Sequence, residues 1–330
     1  MKALYTADMH GDLQALEIVR DYAQDKRNIE AVINSGDLIS PIFNDKEMEN
    51  LGDATYVLSQ VRAQNRINAT LENLAKNIAQ KLDSPEELRG ASKFYIDSLS
   101  KTRESTNEQY EKIKKIFDSF NLPVLTIPGN WDTTNIDDYL AQENLHLKHK
   151  KEINGVTFGG YGASYERMMG VLPQELEINF SEKELYNFLK EQDPDIALIH
   201  CPPYRMHDAD NNGNPSGTLG ALAYLLDEKP SLVLSGHSHL LGIDCKGNNC
   251  SSTVILNAGN LGRYLANTGR HNGNFGTFVE FELENNSHYF KNATFYHITD
   301  MEKGKDSIEK MAEFEMTEEG PKNITEGARK

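Results

Sequence analysis

Five short apolar segments of this chain each stop on a side chain that can bind a metal. They end in Asp8-Met-His10, Gly36-Asp37, Gly129-Asn130, His200 and Gly236-His237-Ser-His239. The donors are carboxylate or amide oxygens and imidazoles. That mixture suits Mn²⁺, Fe, Zn²⁺ or Ni²⁺ better than Ca²⁺ or Mg²⁺, which prefer shells made only of oxygen. A lone histidine or a Gly-Asp pair is ordinary; five such endings in one chain make a pattern. In extended backbone the side chains at i and i+2 face the same way, so Asp8 with His10, and His237 with His239, are expected to act as pairs. The glycines before Asp37, Asn130 and His237 suit sharp turns without a Cβ.

Such endings need a scaffold that brings distant residues together. In an open α/β sheet the ligand site lies beyond the carboxyl ends of the strands. A strand over residues 2–7, a helix from Asp12 to Ala23 and a strand over Ala31–Asn34 begin a βαβ unit. Further strands are expected at 122–127, 156–161, 196–199, 232–234, 242–245, 253–256, 276–283 and 287–297. Helices are expected at Ser181–Lys190, with Ser181 and Glu184 in capping-box spacing, and at Thr218–Leu226. Between Asp37 and Asn130 the character changes to a helical insertion at about 45–120. Ile67, Leu71, Leu74, Ile78 and Leu82 predict one long amphipathic helix starting near Val57. Ser84-Pro-Glu-Glu87 reads as the start of a second, carrying Leu88, Tyr95 and Leu99, and a third ends with Ile113, Ile116, Phe117 and Phe120. The insertion is expected to act either as a lid or as a dimerising hairpin. Residues 1–300 read as one domain and 301–330 as an acidic, loosely held tail.

The chain has 330 residues and a net charge of −16. It is long enough to bury a core without depending on disulfides, and no apolar run is long enough for a transmembrane helix. An acidic surface repels long nucleic acids and anionic membranes, but not a small phosphate ester near a metal. Nothing at the N-terminus reads as a secretory leader, so the expected location is cytoplasmic. The expected state of Cys245 and Cys250 is then reduced, and Asn68, Asn292 and Asn323 are expected to carry no glycans. No phosphate-binding glycine loop of a nucleotide switch is present.

As a set, the five endings resemble the calcineurin-like metallophosphoesterase superfamily, over residues 5 to about 262. His200-Cys-Pro-Pro-Tyr204 is similar to the His-x-Pro-Pro segment of its small phosphodiesterases, and Asn257-Ala-Gly-Asn-Leu-Gly262 to its Asn-x-Gly-Ser stretch. The resemblance implies an α/β, four-layer αββα sandwich holding two divalent ions, with Mn²⁺ favoured. Asp8, His10 and His239 would hold the first ion, Asn130, His200 and His237 the second, and Asp37 would bridge both. It implies hydrolysis of a phosphate ester by a metal-bridging hydroxide, with Asp37, Asn130 and His200 at the reacting centre. The chain departs from the family's Gly-Asn-His-Asp/Glu at Trp131, since indole is no proton donor near neutral pH. That favours diesters and leaves His207 as a substitute acid, with Asp132 orienting a ligand. Tyr204, Arg205 and Asp208 stand on the loop after His200 as expected substrate contacts; Arg263 and Arg270 are weighed as phosphate contacts against solvated charges. His146 to Lys151 reads as a solvated basic face. The expected partner is a small phosphate ester, with nucleic acid as an alternative, no membrane, and self-association through the insertion. Alternatives on the same site are a phosphomonoesterase or protein phosphatase, a nuclease, or a non-catalytic scaffold.

Overall fold

The computed structural model describes residues 1–330 except 41, 165–171, 210–212, 247–252, 264–274, 285–288 and 326–330. Runs such as Ala31-Val-Ile-Asn34 are buried on both faces, as strands of a parallel sheet covered on two sides must be. The first sheet contains β1 (Lys2–Thr6), β2 (Ala31–Asn34), β3 (Val124–Thr126), β10 (Thr277–Leu283), β11 (Phe290–Ile298), β12 (Ile308–Thr317) and β13 (Gly320–Asn323). Their order is β13-β12-β11-β10-β1-β2-β3. The strands β1, β2 and β3 run parallel, with Tyr5 opposite Ile33 and Ile33 opposite Leu125. The second sheet contains β4 (Lys151–Ile153), β5 (Val156–Tyr161), β6 (Ile196–Ile199), β7 (Leu232–Ser235), β8 (Gly242–Lys246) and β9 (Thr253–Asn257), in the order β4-β5-β6-β7-β9-β8.

Alternation along the strands decides the layers. Ala3, Tyr5, Ile33 and Leu125 face inward and pack against Phe158, Leu198, Leu234 and Leu256 of the second sheet. Leu4 and Val32 face outward, beneath Leu16 and Val19 of α1 (Leu13–Asp25) and Ile113 and Phe117 of α4 (Glu86–Ser119). On the other side, Ala197, Ile199 and Val233 pack beneath α6 (Glu182–Gln192) and α7 (Leu219–Glu228). This is the four-layer αββα sandwich. Ser181 caps α6 by accepting the Glu184 N–H at 3.3 Å.

The insertion differs in detail from its expected form. Instead of one helix from Val57 to Leu82 there are two, α2 (Asp45–Gln64) and α3 (Leu71–Gln80). Asn65 ends the first by donating its side-chain amide to the Val61 carbonyl at 2.9 Å. Thr70 starts the second by accepting the Asn73 N–H at 3.2 Å. Both side chains offer backbone groups local partners that compete with a continuing helix. Leu71, Leu74 and Ile78 do join Tyr95 and Leu88 in a core with Leu51 and Leu58, whereas Leu82 lies past the end of α3 and is 89% exposed. The second and third expected helices are one, α4, which starts after Pro85 without a side-chain cap. A short α5 (Ile136–Leu140) follows β3.

Two further expectations change. Residues 308–323 are not loosely held: Ala293 of β11 pairs with Phe314 of β12, and β13 closes that edge of the sheet. Their acidic side chains alternate with apolar ones, Phe314 packing on Phe295, and an edge strand needs only one buried face. Cys245 is disulfide-bonded, which corrects the expectation of a reduced thiol; Cys250 lies outside the described residues, and Cys201 is buried, its thiol donating to the Ser216 carbonyl at 3.2 Å.

Candidate metal centre

The seven expected ligands follow the carboxyl ends of five strands, Asp8 and His10 after β1, Asp37 after β2, Asn130 after β3, His200 after β6, and His237 and His239 after β7. The turns after β1 and β2 continue to pair beyond the strands, Asp8 N–H donating to the Gly36 carbonyl at 3.0 Å and His10 N–H to the Asp37 carbonyl at 2.8 Å. The two Asp/His-x-His pairs are not extended, contrary to expectation. Asp8, His10, His237 and His239 have φ of 51°, 46°, 65° and 56°, and Asp37 has 53°. Left-handed backbone at a residue other than glycine costs on the order of 1 kcal/mol, and such strain clusters at functional sites. Glycine is required between them by close approach. A Cβ on Gly129 would lie 2.0 Å from Asp37 Oδ1, and one on Gly236 2.7 Å from Asp8 Oδ2.

The donors form two groups. Asp8, His10, Asp37 and His239 offer ligand atoms all within 4.8 Å of one another. His10 Nε2 lies 3.3 Å from His239 Nε2, and His239 Nε2 lies 3.2 Å from Asp8 Oδ1. In the second group Asn130 Oδ1 lies 2.9 Å from both His200 Nε2 and His237 Nδ1. Asp37 stands between them: its Oδ1 accepts the Trp131 N–H at 2.8 Å, and its Oδ2 faces His10 Nε2 at 3.8 Å and His200 Nε2 at 3.6 Å.

The chemistry of this donor set fits divalent ions. His200 Nδ1 lies 2.7 Å from the Ser35 carbonyl and donates to it. Its Nε2 therefore turns a lone pair toward the Asn130 amide oxygen, acceptor against acceptor, an arrangement that a cation relieves. Donor atoms on neighbouring corners of one bound ion lie about 3 Å apart, close to the spacings here. Burial pushes the Asp8 carboxyl up to about 7. Burial and the neighbouring Asp8 push Asp37 well above the usual carboxylate range. Burial lowers His200, lowers His237 well below its usual value and lowers His239 to about 4. These three imidazoles are therefore neutral and free to offer lone pairs, while two buried carboxylates call for positive charge.

The remaining expected residues are placed differently. Asp132 holds backbone: its Oδ2 accepts the N–H of Leu38 at 3.1 Å and of Gly129 at 2.7 Å. Trp131 is 8% exposed, packs with Leu172, Ile42 and Met48, and meets His10 edge to face at 6.3 Å. Asp208 is corrected as a substrate contact, because its Oδ2 is taken up by the N–H groups of Arg205 at 2.6 Å and Gly217 at 3.0 Å. Tyr204 and Arg205 stand together, the guanidinium 5.4 Å from the ring centroid. His207 lies against Gly242, where a Cβ would clash with its ring, and its buried Nε2 has no hydrogen-bond partner. Arg263 is spent on Asp12, the cap of α1, at 2.6 and 2.8 Å; Arg270 lies outside the described residues. His146 is no solvated cation: burial lowers it to about 4, and its Nδ1 accepts the Gly162 N–H at 2.9 Å. The residues missed from the sequence are Ser35, whose carbonyl orients His200, and Tyr110, whose hydroxyl donates to Asp132 at 3.0 Å. A carbonyl leaves no sequence signal, and Tyr110 reads as one more apolar position of a helix.

Residues 95–241 match the family of calcineurin-like phosphoesterases. This part of the chain is similar to that family. The matched stretch contains Asn130, His200, His237 and His239; Asp8, His10 and Asp37 precede it, and the fold brings them to the same place. The family is one of phosphoric ester hydrolases. One solved structure superposes on this chain with a TM-score of 0.52 at 12% identity, covering 88% of this chain and 97% of the other. TT1561 of Thermus thermophilus follows at 0.45 and 15% identity, covering 94% and 97%. The 5'-nucleotidase precursor of the same organism follows at 0.42 and 8%, covering 89% and 53%. No curated protein sequence matches the chain. Among the described residues no helix is long and apolar enough to cross a membrane.

Proposed function

We propose that this phosphoesterase holds two divalent ions, Mn²⁺ favoured, and hydrolyses a small phosphodiester. The observation that carries the reading is Asp37, whose Oδ2 faces both donor groups. Asp8, His10 and His239 would hold one ion, Asn130, His200 and His237 the other, and Asp37 both. Bound there, the ions would lower the pKa of a water and offset charge on the phosphate. The chain's own residues do the rest. Ser35 keeps the proton of His200 on Nδ1, so that Nε2 stays a ligand. Trp131, with Leu172 and Met48, excludes water beside His10 and supplies no proton. The absence of an acid there favours diesters over monoesters.

His207 is the proposed donor to the leaving oxygen. Its Nε2 has no hydrogen bond to give up, and Ser238, between the two ligand histidines, donates its hydroxyl to the His207 carbonyl. Tyr204 and Arg205 are the proposed contacts for the phosphate or its ester group. The cytoplasm remains the proposed location; counting free thiols in protein alkylated at extraction tests it, since a Cys245 disulfide formed in the cell points to an oxidising compartment.

The test is hydrolysis of bis-p-nitrophenyl phosphate beside p-nitrophenyl phosphate, with metal-stripped protein resupplied with Mn²⁺. Diester turnover that needs Mn²⁺ and falls at least about 1000-fold in Asp37→Ala is expected. Faster monoester turnover overturns the diester preference. Two bound ions without turnover of either ester point to a non-catalytic scaffold.

A further inference from the structure

Helix α4 reaches the metal centre from outside the two sheets. Tyr110 on this helix is fully buried. Its hydroxyl donates to Asp132 Oδ1 at 3.0 Å and accepts the Thr133 N–H at 2.9 Å. The other oxygen of Asp132 accepts the N–H of Leu38 and of Gly129. Leu38 follows Asp37, and Gly129 precedes Asn130. One carboxylate thus ties the turn after β2 to the turn after β3, and one phenol from the helix holds that carboxylate. The preceding residue works on the neighbouring loops. Gln109 Oε1 accepts the Ser40 N–H at 2.8 Å and the Ser40 hydroxyl at 2.9 Å. A Cβ on Gly11, beside His10, would sit 3.0 Å from the same oxygen.

We propose that Gln109 and Tyr110 of α4 set the relative placement of Asp37 and Asn130, and that Tyr110 is a positioning residue for the metal centre. The inference rests on the reading that Asp37 and Asn130 bind metal. Four of the seven donors follow β1, β2 and β3, and all three of those loops meet this one helix turn. Partners of this kind, one step removed from the ligands, tune affinity without touching the ion.

Tyr95 provides the matched comparison. It lies on the same helix, is fully buried, donates to Glu175 and accepts the Gln174 N–H at 3.1 Å, and neither of these partners lies on a ligand turn. The experiment titrates Mn²⁺ alone into metal-stripped wild type, Tyr110→Phe and Tyr95→Phe, with circular dichroism to follow the fold. Electron paramagnetic resonance at full loading reports whether the two ions remain magnetically coupled. Tyr110→Phe is expected to weaken Mn²⁺ binding about tenfold or more and to change the coupling, with Tyr95→Phe like wild type. Unchanged affinity and coupling in Tyr110→Phe overturn the proposal, and so does an equal loss in Tyr95→Phe. If Tyr110→Phe does not fold, Gln109→Leu, at a half-buried position, decides the same way: weaker Mn²⁺ binding supports the proposal and wild-type binding overturns it. Wild-type protein that binds two Mn²⁺ ions but cleaves no diester removes the proposed activity and leaves this inference standing. Wild-type protein that binds no Mn²⁺ removes both.

Discussion

Asp8 and Asp37 are buried side by side, and their charge has to be balanced by something other than solvent. With its carboxyl raised to about 7, Asp8 keeps its proton in the metal-free fold until near neutral pH. A metal must displace that proton, so Mn²⁺ affinity should fall as pH drops below about 7, roughly tenfold per unit for one proton released. Titrations at pH 5.5, 6.5 and 7.5 check this, and a flat profile contradicts it. The linkage to stability has a definite sign. A carboxyl whose folded pKa is raised contributes stability that is full below its unfolded value and lost as pH rises through the folded one. From this group the melting temperature of metal-free protein should therefore fall between about pH 4 and 7, and saturating Mn²⁺ should reverse the trend. The left-handed φ angles of five ligands add strain of the kind that an unliganded site holds only because its surroundings over-determine it.

At the scale of elements, the insertion builds a small helical core of its own, which meets Trp131 beside the site, while Gln109 and Tyr110 of α4 meet the ligand loops directly. Leu51, Leu58, Leu74 and Tyr95 bury each other, and Ile42 and Met48 carry that packing to Trp131. Leu74→Ala, at 4% exposure, should destabilise the protein by about 2–4 kcal/mol through lost transfer energy and a cavity. Trp131 is the only tryptophan in the chain, so its fluorescence reports whether the insertion stays docked. A red shift at denaturant concentrations below the main transition is expected for this variant, and a coincident shift contradicts separate loosening. The helical character of the insertion was legible from the spacing of Leu71, Leu74 and Ile78. The break at 65–70 was not, because Asn65 and Thr70 are tolerated inside helices and become caps only when tertiary packing favours two short helices over one.

At the scale of the whole molecule, the first sheet supplies Asp8, His10, Asp37 and Asn130, and the second supplies His200, His237 and His239. Ions bound here would join the sheets across their common core. Metal at about 100 times its dissociation constant adds about 2.7 kcal/mol per site. Resupply of Mn²⁺ to chelator-stripped protein should then raise the melting temperature by about 5 °C or more, and an unchanged calorimetric transition contradicts the site. The net charge of −16 opposes approach of long polyanions, which is why a small ester is the proposed substrate. Asp8, His10, Asp37, Asn130, His200, His237 and His239 were all legible in the sequence because each follows an apolar strand, and strand ends in an α/β sheet converge whatever lies between them. The sequence by itself therefore determined which strands end on these seven side chains and the sandwich that gathers them. Tertiary structure alone decided the rest: that the i, i+2 pairs are left-handed and not extended, that Asp208 and Arg263 are bound to the protein's own backbone and side chains, and that residues 308–323 extend the sheet. It alone brought Tyr110 to Asp132. These depend on contacts between segments distant in the chain, where a polar side chain takes whichever partner the packing puts within about 3 Å, and no local pattern encodes that choice.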